Sequence, residues 1–187
     1  MKSRNRWGLI AALMLLSVAL TGLACSGLGT FLTQVSPTGT PQPGPTALRT
    51  AARVLRVVDG DTIEVEVEID RREYRLRYIG IDAPETIKEN TPVEWMGPEA
   101  SAANGALVRG EVVYLEKDVS DTDRYGRLLR YVFLADGAFV NGELVRQGYA
   151  QAITYPPDVK YQKLLRALER EARNAGRGLW QPAPDDQ

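Results

Sequence analysis

From Thr62 the chain alternates strictly, with Ile63, Val65, Val67 and Ile69 set against Glu64, Glu66 and Glu68. A period of two puts the aliphatic side chains on one face, which predicts a half-buried strand over 62–69. Val54 to Val58 is a short apolar strand ahead of it, and Tyr74 to Ile81 is a third. In that third strand Leu76 and Tyr78 share one face, and Arg75 and Arg77 the other. The polar run Asp70-Arg71-Arg72-Glu73 predicts a turn, so the second and third strands form a hairpin. Glu111 to Lys117 and Leu128 to Leu134 supply two more strands.

Helical spacing appears between and after these strands. Gly97-Pro98-Glu99 places proline in a first turn, and Ala100, Ala103 and Leu107 follow before Gly110. Asn141 is placed to cap a short helix that ends at Gly148, with Leu144 and Val145 inward. Asp158 is placed to cap a longer helix that Gly176 terminates. Its inward face carries Tyr161, Leu164, Leu165, Leu168 and Ala172, with Arg166, Arg170 and Arg173 on the solvated side. Five short strands with helices inserted late suggest an α+β, mainly β, domain built on an OB-type barrel. The face of its second and third strands is a common ligand platform.

The first fifty residues follow a different pattern. Met1 to Arg6 is basic, Trp7 to Leu23 is almost wholly apolar, and small residues close the run at Ala24-Cys25. That order predicts an export signal over 1–25. The single cysteine resembles the lipobox cysteine of bacterial lipoproteins, although Gly22 stands where that pattern carries an aliphatic residue. A plain secretory signal or an uncleaved anchor is the alternative. Residues 26–50 are rich in Pro, Thr, Gly and Ser and predict a disordered tether. The folded domain is then expected over 51–187, at the outer face of the cell envelope or secreted, and monomeric.

Charge and composition narrow the chemistry. All 24 acidic residues lie beyond residue 50, as do all but four of the 23 basic ones, so the domain carries a net charge of −5. Such a domain binds phosphate only through a local basic pocket or a bound cation. With no histidine, a general base must be a carboxylate, lysine or tyrosine. With one cysteine, no disulfide closes within the chain.

Four polar stretches stand out: Asp59-Gly60-Asp61-Thr62, Ile81-Asp82-Ala83-Pro84-Glu85, Arg77 inside an apolar strand, and Asp121 to Arg127. Taken singly each reads as a turn, a loop or a rim ion pair. Together they say more, because antiparallel pairing brings the start of one strand beside the end of the next. Asp61 and Asp82 therefore converge, with Glu85 close by. Oxygen-only ligands suit a hard cation such as Ca²⁺ or Mg²⁺. A guanidinium beside such a cluster suits a phosphodiester, which engages both cation and bidentate donors.

Val58-Asp59-Gly60-Asp61-Thr62, Arg77 with Ile81 to Glu85, Gly97 to Ser101, Asp123-Arg124-Tyr125-Gly126-Arg127, and Val140-Asn141 with Leu144 to Gly148 occur in an order and at spacings that resemble the thermonuclease family. The resemblance runs from about Val54 to Trp180. It implies a staphylococcal nuclease-like OB barrel with three helices and one catalytic Ca²⁺. It implies that Asp61, Asp82 and the main-chain carbonyl of Ala83 are metal ligands, with Asp59 behind them. Arg77 and Arg127 would stabilise the transition state at phosphorus, Glu85 would serve the attacking water, and Tyr125 would lie against the nucleotide. The implied activity is endo- and exonucleolytic cleavage of DNA and RNA to 3′-phosphate products. Two departures stand out. Ala83 stands where the family often has threonine, and Thr154-Tyr155-Pro156-Pro157 does not reproduce the family's tyrosine pair. The competing readings are a non-catalytic nucleic-acid-binding module on the same barrel, and an envelope scaffold with a structural calcium site.

Overall fold

The computed structural model describes residues 48–86 and 94–182. The export signal and nearly all of the tether expected from the sequence lie outside the described residues.

Among the described residues, seven strands and three α-helices follow in the order β1 (Arg49–Asp59), β2 (Thr62–Val67), β3 (Arg72–Tyr78), β4 (Ile81–Asp82), α1 (Gly97–Val108), β5 (Val112–Glu116), β6 (Leu128–Phe133), α2 (Val140–Arg146), β7 (Gln151–Ala152) and α3 (Gln162–Asn174). A 3₁₀ turn covers Gly178–Trp180. Strands β1-β2-β3-β6-β5 close into a barrel, and β4 pairs with β7 outside it. Every neighbour in the barrel is antiparallel except β3 with β6, which run parallel. The mainly β, five-stranded barrel with three helices is the fold expected from the sequence.

Closure comes from β1, which is longer than its apolar core suggests. Arg49 to Arg53 pair with β5, while Ala52 to Asp59 pair with β2. Two register shifts, at Val54/Arg56 and Val57/Asp59, bend the strand between its two partners. The segment 49–53 is polar or small and carries no alternating signal, so its strand character rests on ladder hydrogen bonds rather than on burial. Inside the barrel, Val54, Ile63, Val65, Leu76, Val113, Leu115 and Tyr131 are buried.

Three local expectations are corrected. Strand β2 ends at Val67, and Ile69 is 86% exposed in the following turn. There Arg71 takes a left-handed φ of 56°, and Asp70 accepts the Arg72 N–H at 3.1 Å and the Tyr74 hydroxyl at 2.6 Å. Asn141 does not cap α2 but lies inside its first turn. Its buried amide accepts the Val132 N–H and donates to the Ile79 carbonyl, both at 2.9 Å. Asp158 does not cap α3. Its Oδ1 accepts the Val119 and Ser120 N–H groups at 2.9 and 2.7 Å, and Tyr161 takes the cap position.

The base of the barrel is tied by Glu116, which is 1% exposed. It accepts hydrogen bonds from Arg49, Lys160 and the Tyr161 hydroxyl at 3.1, 2.5 and 2.8 Å. Burial works against its charge, but these three donors hold its carboxyl below the usual range. The first strand, the fifth strand and the entry to α3 are thereby joined at one carboxylate.

Candidate active site

One end of the β2–β3 hairpin builds the site. The ladder sets Thr62 opposite Arg77, so the Asp59-Gly60-Asp61 turn closes beside the arginine. That turn has room for no side chain at its centre. A Cβ on Gly60 would stand 2.6 Å from Ala83 Cβ and 2.9 Å from Ala100 Cβ. Asn104 on α1, fully buried, fixes the turn from below. Its amide donates to the Asp59 carbonyl and accepts the Tyr78 hydroxyl, both at 2.9 Å.

Arg77 joins the two strands' carboxylates. Its Nη1 donates to Asp61 Oδ1 and its Nη2 to Asp82 Oδ1, each at 2.5 Å. Asp61 is 1% exposed, whereas Asp82 is 59% exposed and faces solvent. Asp61 Oδ1 also accepts the Thr62 hydroxyl at 3.0 Å, and Oδ2 accepts the Ala83 N–H at 2.8 Å. Burial pushes the Asp61 carboxyl above the usual carboxylate range, with Arg77 and the Ala83 N–H opposing the push and Asp59 adding to it. Burial also works against the Arg77 charge, but Asp61 and Asp82 hold its pKa above the ordinary arginine value. The predicted convergence of Asp61 and Asp82 is therefore realised, with a guanidinium at the point where they meet.

The opposite wall is the loop before β6. Asp123 organises it, since its Oδ1 accepts the Tyr125 and Arg127 N–H groups at 2.8 and 3.0 Å and its Oδ2 takes Arg127 Nε at 2.6 Å. Burial opposes ionisation here, but Arg127 and these N–H groups hold the Asp123 carboxyl below its usual range. Tyr125 is 68% exposed, and the Arg124 and Arg127 guanidinium carbons lie 4.7 and 5.4 Å from its ring centre. Arg124 also donates to the Tyr125 hydroxyl at 2.6 Å. The ring is thus steadied by cation–π contact and a charged donor.

Between the walls lies an open cleft of about 830 Å³. Asp59, Arg77, Asp82, Glu85, Tyr125 and Arg127 all line it, while Asp61 and Ala83 lie behind its surface. Glu85 is half-buried at the cleft's edge, its N–H donating to Glu94 Oε2 at 3.2 Å. Residues not singled out as chemistry-bearing from the sequence line the cleft too: Arg75, Ile153 and Tyr155. Arg75 was legible, being two positions from Arg77 on one strand face. Tyr155 was less so. It comes from the segment that departs from the thermonuclease pattern, and pairing of β7 with β4 brings that segment to the site.

The donor set suits a hard cation in kind. Two carboxylates converge on one positive group, and a third, Asp59, adjoins them. A divalent ion would compete with the guanidinium for the same oxygens. Among the described residues no three carboxylates are already gathered closely enough to enclose an ion.

Residues 75–182 match the family model described as staphylococcal nuclease homologue. The chain belongs to that family. Asp59 and Asp61 precede the matched stretch and reach the site through the β2–β3 ladder. Relatives span more of the chain. A thermonuclease of Staphylococcus hyicus is 41% identical over 128 residues, which is 68% of this chain and 74% of the relative. A thermonuclease of Staphylococcus intermedius matches to the same extent. Endonuclease YncB of Bacillus subtilis (strain 168) is 39% identical over 127 residues, or 67% of this chain and 59% of the relative. Within this staphylococcal nuclease homologue the cleft is where elements from the barrel, the β6 loop and the β4–β7 ribbon meet.

Proposed function

We propose that the chain is a calcium-dependent phosphodiesterase that cleaves DNA and RNA, internally and from chain ends, at the 5′ O–P bond. The observation that carries this reading is Arg77, clamped between Asp61 and Asp82 in the cleft that Arg127 also lines. Relatives named thermonuclease and endonuclease support it.

Asp61, Asp82 and the Ala83 carbonyl would hold the calcium, with Asp59 next to them. When bound, the ion supplies Lewis acidity and a template for the phosphate. Arg77 and Arg127 bind phosphate oxygens and offset the charge that grows on them as water attacks. Glu85 holds that water and takes its proton, since no histidine is present to do so. Tyr125 offers a ring face to the nucleotide. A rigid, pre-paired guanidinium costs little reorganisation at the moment of reaction.

Bond polarity gives the test. Products should accept phosphate from a 5′-kinase directly, and their 3′ ends should resist polymerase extension until a phosphatase is added. Ends of the opposite polarity would contradict the proposed geometry of attack.

Residues 1–25 are proposed as a lipoprotein-type export signal and the stretch from residue 26 up to β1 as the tether of an outward-facing enzyme. The mass of the mature N-terminus checks this, because an unmodified Cys25 would exclude the anchor.

A further inference from the structure

Four arginines line the cleft, and they are not in equivalent states. Arg77 is shared by Asp61 and Asp82, and Arg127 is held by Asp123. Arg124 donates to the Tyr125 hydroxyl. Arg75 is exposed and makes no ion pair or side-chain hydrogen bond among the described residues. Its cross-strand neighbour is Glu64, the obvious partner. Yet Glu64 is already taken by Arg56, whose Nε and Nη2 reach its two oxygens at 3.0 and 2.5 Å. Arg75 acts on Glu64 only by longer-range attraction, and among the described residues it is left without an ion pair of its own, on a domain whose overall charge is negative.

Its position gives that charge a use. Arg75 and Arg77 are two residues apart on β3, so both point to one face, about 6.6 Å apart along the strand. Both line the same cleft. That step is comparable with the reach from one phosphate to the next along an extended single strand. A guanidinium free of carboxylates is suited to hold a phosphate by a fork of two donors.

We propose that Arg75 is a substrate-binding residue that seats the phosphate next to the scissile one, and so favours polynucleotides over substrates with a single phosphodiester. This rests on the phosphodiesterase reading of the cleft. Arg77 and Arg127 act at the reacting phosphorus, whereas Arg75 grips the chain one nucleotide away and contributes to KM rather than to kcat. The same interaction makes binding depend on salt, because each neutralised phosphate releases counterions.

The test compares the full chain with Arg75→Ala and Arg75→Lys on two substrates: single-stranded oligothymidylate and a nitrophenyl ester of thymidine monophosphate. The ratio of kcat/KM for the oligomer to that for the ester should fall about two- to fivefold in Arg75→Ala, the size of one exposed charge interaction. The fall should lie in KM for the oligomer. The slope of log affinity for oligothymidylate against log salt, read by fluorescence anisotropy, should flatten by about 0.7, because one phosphate fewer is neutralised. Arg75→Lys should restore most of that slope. An unchanged ratio with an unchanged slope would overturn the proposal, and so would an equal loss on both substrates. If the wild-type protein hydrolysed neither substrate, the phosphodiesterase reading would fail. The anisotropy slope would still decide whether Arg75 holds a phosphate.

Discussion

Replacing Arg127 with alanine should lower turnover on DNA by about 100- to 1,000-fold, the loss typical of one pre-placed donor at a developing charge. Stability should fall only modestly. Arg127 donates Nε to Asp123 and lies against the Tyr125 ring, but Asp123 keeps the Tyr125 and residue-127 backbone N–H donors, and the loop keeps its own backbone bonds, Asp123 N–H to the residue-127 carbonyl at 3.0 Å and Gly126 N–H to the Asp123 carbonyl at 3.1 Å. Steady-state hydrolysis and a thermal melt on the same preparation separate the two effects. A non-catalytic nucleic-acid-binding module predicts something else, namely a modest loss of affinity and no turnover to lose. Near-normal hydrolysis by Arg127→Ala would remove this arginine from the chemistry.

Asn104→Ala should lower both stability and turnover, because one buried amide serves the fold and the site. Its loss leaves the Tyr78 hydroxyl and the Asp59 carbonyl without their partner at full burial. Each orphaned group costs about 1–3 kcal/mol, so a total loss of about 2–6 kcal/mol is expected. The Asp59-Gly60-Asp61 turn also loses its floor, which should displace Asp61 from Arg77 and slow hydrolysis in the fraction that remains folded. Tyr78→Phe gives the comparison. It removes one bond of the two, leaves the Asp59 hydrogen bond intact, and should cost stability with little effect on turnover. Urea midpoints and turnover per folded molecule decide. Full activity in a destabilised Asn104→Ala protein would break the proposed link between this amide and the site.

Much of this arrangement was legible in the sequence because strand periodicity is local. Alternation from Ile63 to Val67 placed β2, and a polar turn then placed β3 antiparallel to it. Convergence of Asp61 with Asp82 followed from hairpin geometry alone. What escaped was set by partners distant along the chain. The first half of β1 has no apolar pattern and is a strand because β5 pairs with it. Asn141 and Asp158 look like helix caps locally, yet their side chains satisfy backbone groups of other elements instead. Ile69 continues the alternation into a turn, because Asp70 and the left-handed Arg71 reverse the chain there. The role of Asn104 has no sequence signal, since its partners lie 26 and 45 positions away. Asp61 and Asp82 were visible as candidate ligands, but their capture by Arg77 was not, because side-chain pairing in a rim depends on rotamers that periodicity does not specify.

In the proposed function this cleft hydrolyses phosphodiesters with a cation held by the carboxylates and with Glu85 serving the water. The most direct measurement follows supercoiled plasmid with the purified protein in millimolar Ca²⁺ or in excess chelator, with Glu85→Ala alongside. Degradation that requires calcium and falls by orders of magnitude in Glu85→Ala is the predicted result. A folded wild-type protein that shifts the plasmid on a gel in calcium yet leaves it intact would contradict the account.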